Sequence, residues 1–295
     1  MATLRELKTR IGSVASSEKI TGAMKMISSA KVRQNEQALK KLAPFKEQIQ
    51  SIMGHILSTD QNFNSPLIEP REVSHASIVV FGSDDGLCGA YNLNIFKGFL
   101  VALNKIKQTH GKDVKITVYP VGSKIAKAVR RLESDELDIV VPSGIDSKME
   151  GKKVTEFTHA LRDSFIGKET DLVEVVFMKY ISMGKQVLNT EQLFPVLADK
   201  LLAKESREEE NQLYIFEPDP NSIFNEVLPM FVTSTMQEIT VENRASEQAA
   251  RVMAMQAAND NAKKLFEELQ IEYNKLRQES ITTELLDILG GQVER

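Results

Sequence analysis

The segment Gly82-Ser83-Asp84-Asp85-Gly86-Leu87-Cys88-Gly89 is where this sequence comes closest to chemistry. It follows an apolar run, Ala76–Phe81, and precedes a helical pattern from about residue 92. A strand, a glycine-rich turn and a helix start can cradle a phosphate, because the free N–H groups of a helix N-terminus attract anions. The details do not complete that reading. The turn lacks the Gly-Lys-Ser/Thr of a P-loop and the G-x-G-x-x-G of a dinucleotide site. Asp84 and Asp85 would repel a phosphate unless a metal stood between them. Cys88, the single cysteine, needs a histidine partner to act as a nucleophile, and the four histidines, at 55, 75, 110 and 159, are scattered and flanked by no motif. One cysteine and no H-x-x-x-H spacing supply no metal set. The residues favour a structural turn and no cofactor, with an α/β enzyme that binds nucleotide or metal at Asp84–Gly89 as the minor reading.

The elements around this turn alternate. Strand signals at Ala76–Phe81, Val114–Val121, Leu137–Val141 and Leu172–Tyr180 are separated by helical patterns over about 92–109, from Ser123 to about Leu132, and over about 152–166. Such alternation implies parallel pairing and an α/β sheet covered by helices. Gly184 turns the chain into an extended segment ending near Pro195, and Leu213–Phe216 reads as a last strand. A content of 42% hydrophobic and 26% charged residues is that of a folded domain rather than a disordered chain. With 37 Lys and Arg against 41 Asp and Glu, the net charge of −4 gives no support to nucleic-acid binding. A single cysteine excludes an intrachain disulfide and fits a reducing compartment. No apolar run approaches the ~18 residues of a spanning helix, and Met1-Ala-Thr-Leu-Arg-Glu-Leu7 carries charges where a secretory signal would be apolar. Any membrane association is expected to run through a partner.

The two ends are built differently. Of 18 Phe and Tyr, only Phe45 falls in residues 1–60 and only Phe266 and Tyr273 in 232–295; residues 230–289 hold neither Gly nor Pro. Residues 3–57 read as one helix. Leu4, Leu7, Ile11 and Val14 form a heptad seam that continues after a phase change through Ile20, Met24 and Ile27, with a kink or break expected at Pro44. Small residues are dense there (Gly12, Ser13, Ala15 to Ser17, Thr21 to Ala23), which keeps the surface narrow. The last element starts after Glu217-Pro-Asp-Pro-Asn-Ser222, with Asp219 or Asn221 as its cap, and Gly290-Gly291 is expected to end it. Ala262, Phe266, Leu269, Tyr273 and Leu276 make a second seam. Helices this long span about 80 and 90 Å, more than the ~50 Å diameter of a compact globule of this length. Two such helices at opposite chain ends should pair antiparallel. Residues 1–50 carry ten Lys or Arg against four Glu, and residues 246–295 six basic against nine acidic side chains, so their local charges of +6 and −3 favour that pairing. The Met24, Met26, Met253 and Met255 side chains could make an adaptable contact surface. The apolar series Ile281, Leu285, Leu286, Ile288 and Leu289 needs a cover.

Three stretches carry a family resemblance. They are Arg10-Ile11 through Lys19-Ile-Thr-Gly-Ala-Met-Lys-Met-Ile-Ser-Ser-Ala-Lys31; Ser83-Asp-Asp-Gly-Leu-Cys-Gly-Ala-Tyr-Asn92; and Ser246-Glu-Gln-Ala-Ala-Arg-Val-Met-Ala-Met255, continued by Asp260-Asn-Ala262 and Tyr273-Asn-Lys-Leu-Arg-Gln-Glu-Ser-Ile-Thr-Thr-Glu-Leu285. With the order of elements, they make the whole chain resemble the γ subunits of F-type ATP synthases in their bacterial form. At Asp85 that family usually has a basic residue.

The resemblance implies a fold: α/β with long helices, in which an antiparallel coiled coil of the N- and C-terminal helices (1–58 and 220–291) joins a Rossmann-like α/β foot domain (76–217). It implies a role, the central shaft of a rotary motor that couples proton flow to ATP synthesis and hydrolysis without an active site of its own. It implies partners: the α and β subunits of an α3β3 hexamer, the ε subunit and the membrane c-ring, at the cytoplasmic face of a bacterial inner membrane. By motif match, Met24, Lys25, Arg251, Arg277 and Gln278 resemble β-subunit contacts, Phe216, Glu217 and Asp219 resemble the foot that meets the c-ring and ε, and Ile281, Leu285, Leu286, Ile288 and Leu289 resemble the tip in its apolar bearing. From the residues alone, a free-standing coiled-coil scaffold stays open beside this reading.

Overall fold

Thr3 opens the first helix with a reciprocal cap. The Glu6 N–H donates to the Thr3 hydroxyl at 3.3 Å, and the Thr3 N–H donates to the Glu6 carboxylate at 2.8 Å, which satisfies two of the donors a helix start leaves bare. In this computed structural model, which describes residues 3–57, 63–201 and 216–293, the helix α1 runs over Leu4–Leu57. It passes through Pro44 unbroken, with Leu42 half-buried on one side and Lys46 paired to Glu238 on the other. The middle of the expected seam is misplaced: Leu7 and Val32 are buried and Met24 is half-buried, but Ile20 and Ile27 are exposed.

The sheet follows the alternation read from the sequence. Its strands are β1 (His75–Phe81), β2 (Lys115–Val121), β3 (Leu137–Ile139), β4 (Leu172–Ser182) and β5 (Lys185–Phe194), in the order β3-β2-β1-β4-β5. The first four pair in parallel; β5 turns back at the expected Gly184 and pairs antiparallel with β4, as an edge strand. Helices α2 (Tyr91–His110), α3 (Ser123–Val129) and α4 (Lys152–Ile166) make the crossovers, and a short helix α5 (Ala198–Leu201) follows β5. Period-two alternation divides β4 between two cores. Leu172, Val176 and Met178 meet Ile95 and Phe99 of α2 and Ile125 of α3, whereas Val173, Val175 and Phe177 meet Phe157 of α4, Met53 of α1 and the last helix. Helices thus cover both faces, the doubly wound arrangement in which the connections at β1 and β4 leave toward opposite sides. Of the expected strand Leu213–Phe216, only Phe216 lies among the described residues, and it is in no strand.

The last helix, α6, spans Pro220–Val293. Asp219 is its cap, accepting from the Ser222 N–H at 3.0 Å and the Ser222 hydroxyl at 2.6 Å, and Pro220 takes the first helical position, where its missing N–H costs nothing. The helix continues past Gly290-Gly291; glycine permits a left-handed stop but does not impose one. The chain forms two compact units, one of residues up to Ser29 with those from Arg251 onward, the other Ala30–Ala250. In the larger unit, α1 meets α6 through Lys46–Glu238, and Tyr180 of β4 donates to the Glu36 carboxylate at 2.6 Å. In the smaller unit, the Asn259 amide of α6 donates to the Glu18 carbonyl of α1 at 2.7 Å, close beside Gly22. Leu269 is buried and Ala262, Phe266, Tyr273 and Leu276 are half-buried, so the second seam faces inward as read.

Candidate functional site

The glycine-rich turn is occupied by the chain's own groups. Gly82 N–H donates to the Val121 carbonyl at 2.8 Å, and Lys124 N–H to the Ser83 carbonyl at 3.0 Å, which zips the ends of β1 and β2 together. Gly122 allows this approach: its φ of +116° is a conformation that favours glycine, and a Cβ there would sit 2.9 Å from the Ser83 carbonyl oxygen. The Asp84 carboxylate accepts from the Ser123 N–H at 2.8 Å, the Ser147 N–H at 3.0 Å and the Ser147 hydroxyl at 2.7 Å. Ser123 opens α3, so Asp84 stands at the helix start where a bound phosphate would stand. Burial pushes its carboxyl up, but the Ser147 and Ser123 donors outweigh burial and hold it below its ordinary value. Asp85 pairs with Lys148 at 3.0 Å, and Cys88 is buried. Serines thus satisfy Asp84 and a lysine pairs Asp85, the two acids that would repel a phosphate. Among the described residues, no group of three His, Cys, Asp or Glu is arranged to hold a metal ion.

The other predicted residues lie on the helical ends and beside the α6 cap. Within the smaller unit, Arg277 and Gln278 are exposed, Met24 and Lys25 are half-buried, and Arg251 is turned inward, only 5% exposed. The four methionines divide: Met255 is buried and Met24 half-buried, while Met26 and Met253 are exposed. Ile281, Leu285, Leu286, Ile288 and Leu289 are all exposed, as are Ile20, Ile27, Leu265 and Ile271, the last at 70%. The hydroxyls of α1 make no such outward offer. Thr9, Ser13, Ser16, Ser17 and Thr21 each donate to the carbonyl four residues back, at 2.9–3.2 Å, so this face is narrow and internally satisfied. In the larger unit, Phe216 is half-buried against the core, Glu217 is exposed, and Asp219 is held below its ordinary value by the Ser222 donors. The predicted site residues therefore form no single cleft. Those of the smaller unit, the inward-turned Arg251 apart, lie along helix surfaces, where exposed side chains suit protein contact.

The chain matches the family described as ATP synthase over residues 3–293. It is 36% identical to the ATP synthase gamma chain of Bacteroides thetaiotaomicron, with all of both chains covered. It is 37% identical to that of Bacteroides fragilis, covering 99% of this chain and 100% of the relative, and 34% identical to that of Cupriavidus necator, covering 99% of each. Among solved structures, its fold is similar to a chain in the OSCP/F1/c-ring part of the mitochondrial ATP synthase of Euglena gracilis. There the TM-score is 0.64 at 20% identity, covering 98% of this chain and 93% of that one. Matched from end to end, the chain belongs to the ATP synthase gamma chain family.

Proposed function

We propose that this chain is the central rotor shaft of an F1Fo ATP synthase. It carries rotation of the membrane c-ring to the α3β3 hexamer and so couples proton flow to ATP synthesis and hydrolysis. The observation that carries this reading is the row of exposed apolar side chains on both helices of the smaller unit, from Met26 and Ile27 to Ile271, Leu286 and Leu289. No described helix is long and apolar enough to cross a membrane, so these side chains suit protein partners. Helices Leu4–Leu57 and Pro220–Val293 supply the shaft and residues 76–217 the foot. Met24, Lys25, Arg277 and Gln278 meet the β subunits; Arg251 is the member of that set that the chain itself covers. Ile281, Leu285, Leu286, Ile288 and Leu289 turn in an apolar bearing, and Phe216, Glu217 and Asp219 meet the c-ring and ε. The chain is non-catalytic and peripheral, held at the cytoplasmic face of a bacterial inner membrane by its partners.

Mechanistically, a shaft can drive catalysis elsewhere only by contacting the β conformers differently at each angle, since equal contact shifts no equilibrium. Unequal faces provide this: the serine and threonine face of α1 is slim and self-satisfied, and the apolar faces are not. Co-expression with F1 α, β and ε subunits tests the proposal. A stoichiometric complex that hydrolyses ATP and rotates is expected. A chain that self-associates and leaves α and β unassembled would instead identify a free-standing scaffold.

A further inference from the structure

In a doubly wound sheet, the crevice outside the carboxyl ends of the strands where the winding reverses is where ligands bind. Here that place lies between the ends of β1 and β4, and α6 fills it. The Asn243 side-chain amide donates to the carbonyl of Gly82, at the end of β1, at 3.2 Å. Its carbonyl oxygen accepts from the Tyr91 hydroxyl, at the start of α2, at 2.7 Å and from the Met178 N–H of β4 at 3.4 Å. Ser246, one turn on, donates to the Met178 carbonyl at 2.9 Å. Next to Asn243, the Arg244 guanidinium binds the carbonyls of Ser147 (3.1 Å) and Met149 and the Glu150 carboxylate (3.0 Å). Ser147 also holds Asp84, together with Ser123. Asn243 is 1% exposed and Ser246 fully buried, so these bonds are shielded from water, where a satisfied polar network is stiff and a broken one costly.

We infer that Asn243, supported by Tyr91 and Ser246, is the positioning residue that locks the α/β part to α6, so that torque on the foot reaches the shaft without slack. A crevice that holds a ligand in other folds of this class is here a mechanical joint. Apolar packing resists separation but is non-directional; the hydrogen bonds fix the rotation of α6 about its own axis against the sheet. This inference rests on the rotor reading above.

The test uses the full chain assembled with α and β subunits immobilised on a surface. A bead is attached through Lys112→Cys, in the exposed α2–β2 connection, the native Cys88 being buried. Bead angle is followed with hydrolysis arrested, then during turnover. In Asn243→Leu, Tyr91→Phe and Ser246→Ala, the angular variance of the arrested rotor should rise, by about 1.5-fold or more for Asn243→Leu and less for the single-hydroxyl variants, with ATP hydrolysis within about twofold of the parent. A residue that only stabilised the fold would lower the yield of complexes while those recovered kept parental variance, and that result overturns the inference. If Asn243→Leu does not assemble, the two hydroxyl variants decide, and parental variance in both overturns it. If the parent chain itself forms no rotating complex, the rotor reading fails instead.

Discussion

Phe99, Phe177 and Phe194 of the larger unit are each at most 1% exposed, while Ile271 and Leu286 of the smaller unit stand 70% and 63% exposed. Polar groups differ in the same sense. Around the sheet they join segments far apart in sequence, as Asp84 joins Ser123 and Ser147. On the first helix they fold back four residues onto their own backbone. One region buries its apolar surface and spends its hydrogen bonds on tertiary structure. The other joins its helices through Asn259 and Glu18 and buries Leu7, Met255 and Leu269, but turns most of its hydroxyls onto its own backbone and leaves a long series of apolar side chains outside. The α/β part therefore carries its own stability, whereas the helical ends are built to be contacted by others.

The sharpest way to break this comparison is to shorten one side chain in each region. Phe99→Ala should cost about 3–5 kcal/mol by emptying a buried site, and Leu286→Ala no more than about 0.5 kcal/mol in the isolated chain. Urea unfolding of the two variants reads the contrast, and equal losses would end it. Asp84→Ala comes next, at about 2 kcal/mol, because it strands the donors of the buried Ser147. Its pH signature follows from a carboxyl held below its ordinary value. The parent's extra stability is present above that ordinary value and is lost as pH falls through the lowered one. The variant should lack this acid limb.

Glu242 of α6 sharpens the comparison with the opposite sign. It is 8% exposed, and burial pushes its carboxyl up to about 7, with Lys179 and Lys46 pulling it down and Glu238 and Glu191 pushing it up. The folded state therefore binds this proton more tightly than the unfolded chain, whose carboxyl titrates near 4.5. Stability falls as pH rises between those values and levels off above them. Glu242→Gln should remove that slope and raise stability at pH 8 by about 1–2 kcal/mol, allowing for partial solvation. Unfolding midpoints at pH 5 and pH 8 check it; a slope that persists in the variant assigns the proton elsewhere.

Legibility in the sequence follows the same division. The central strands were readable because parallel strands covered on both faces become near-continuous apolar runs, as in Ile78–Phe81 and Val173–Met178. The final helix was readable from sixty positions without Gly or Pro, residues 230–289. The phase of α1 at Ile20 and Ile27 was not, because a helix that offers apolar residues to partners as well as to its own core has no unique inner face. In the sequence Asp84 reads only as a group hostile to phosphate, because its partners lie 39 and 63 residues away. Asn243 gives no signal at all: a lone asparagine on a helix is ordinary, and its hydrogen-bond partners are 65, 152 and 161 residues distant. Long-range polar junctions of this kind leave no periodicity to read.

The smallest effect on the chain itself is expected where the family resemblance points most strongly. Arg277 and Gln278 are exposed on α6, beyond Leu269, the last buried residue among those described on that helix. Replacing both with alanine removes no buried contact, and alanine favours a helix, so the isolated chain should unfold within about 0.5 kcal/mol of the parent. The assembled complex should respond differently. A hydrogen bond to a charged group at a desolvated contact contributes about 1.5–3 kcal/mol, and each 1.4 kcal/mol is about tenfold. If these side chains hold a β subunit in the rate-limiting orientation, ATP hydrolysis falls about tenfold with assembly intact. Unchanged turnover in a fully assembled complex would remove Arg277 and Gln278 from the coupling surface and leave the exposed apolar row to carry it alone. A loss of stability in the isolated chain would mean that the helical end has a self-sufficient core after all, and the contrast between the two regions would disappear.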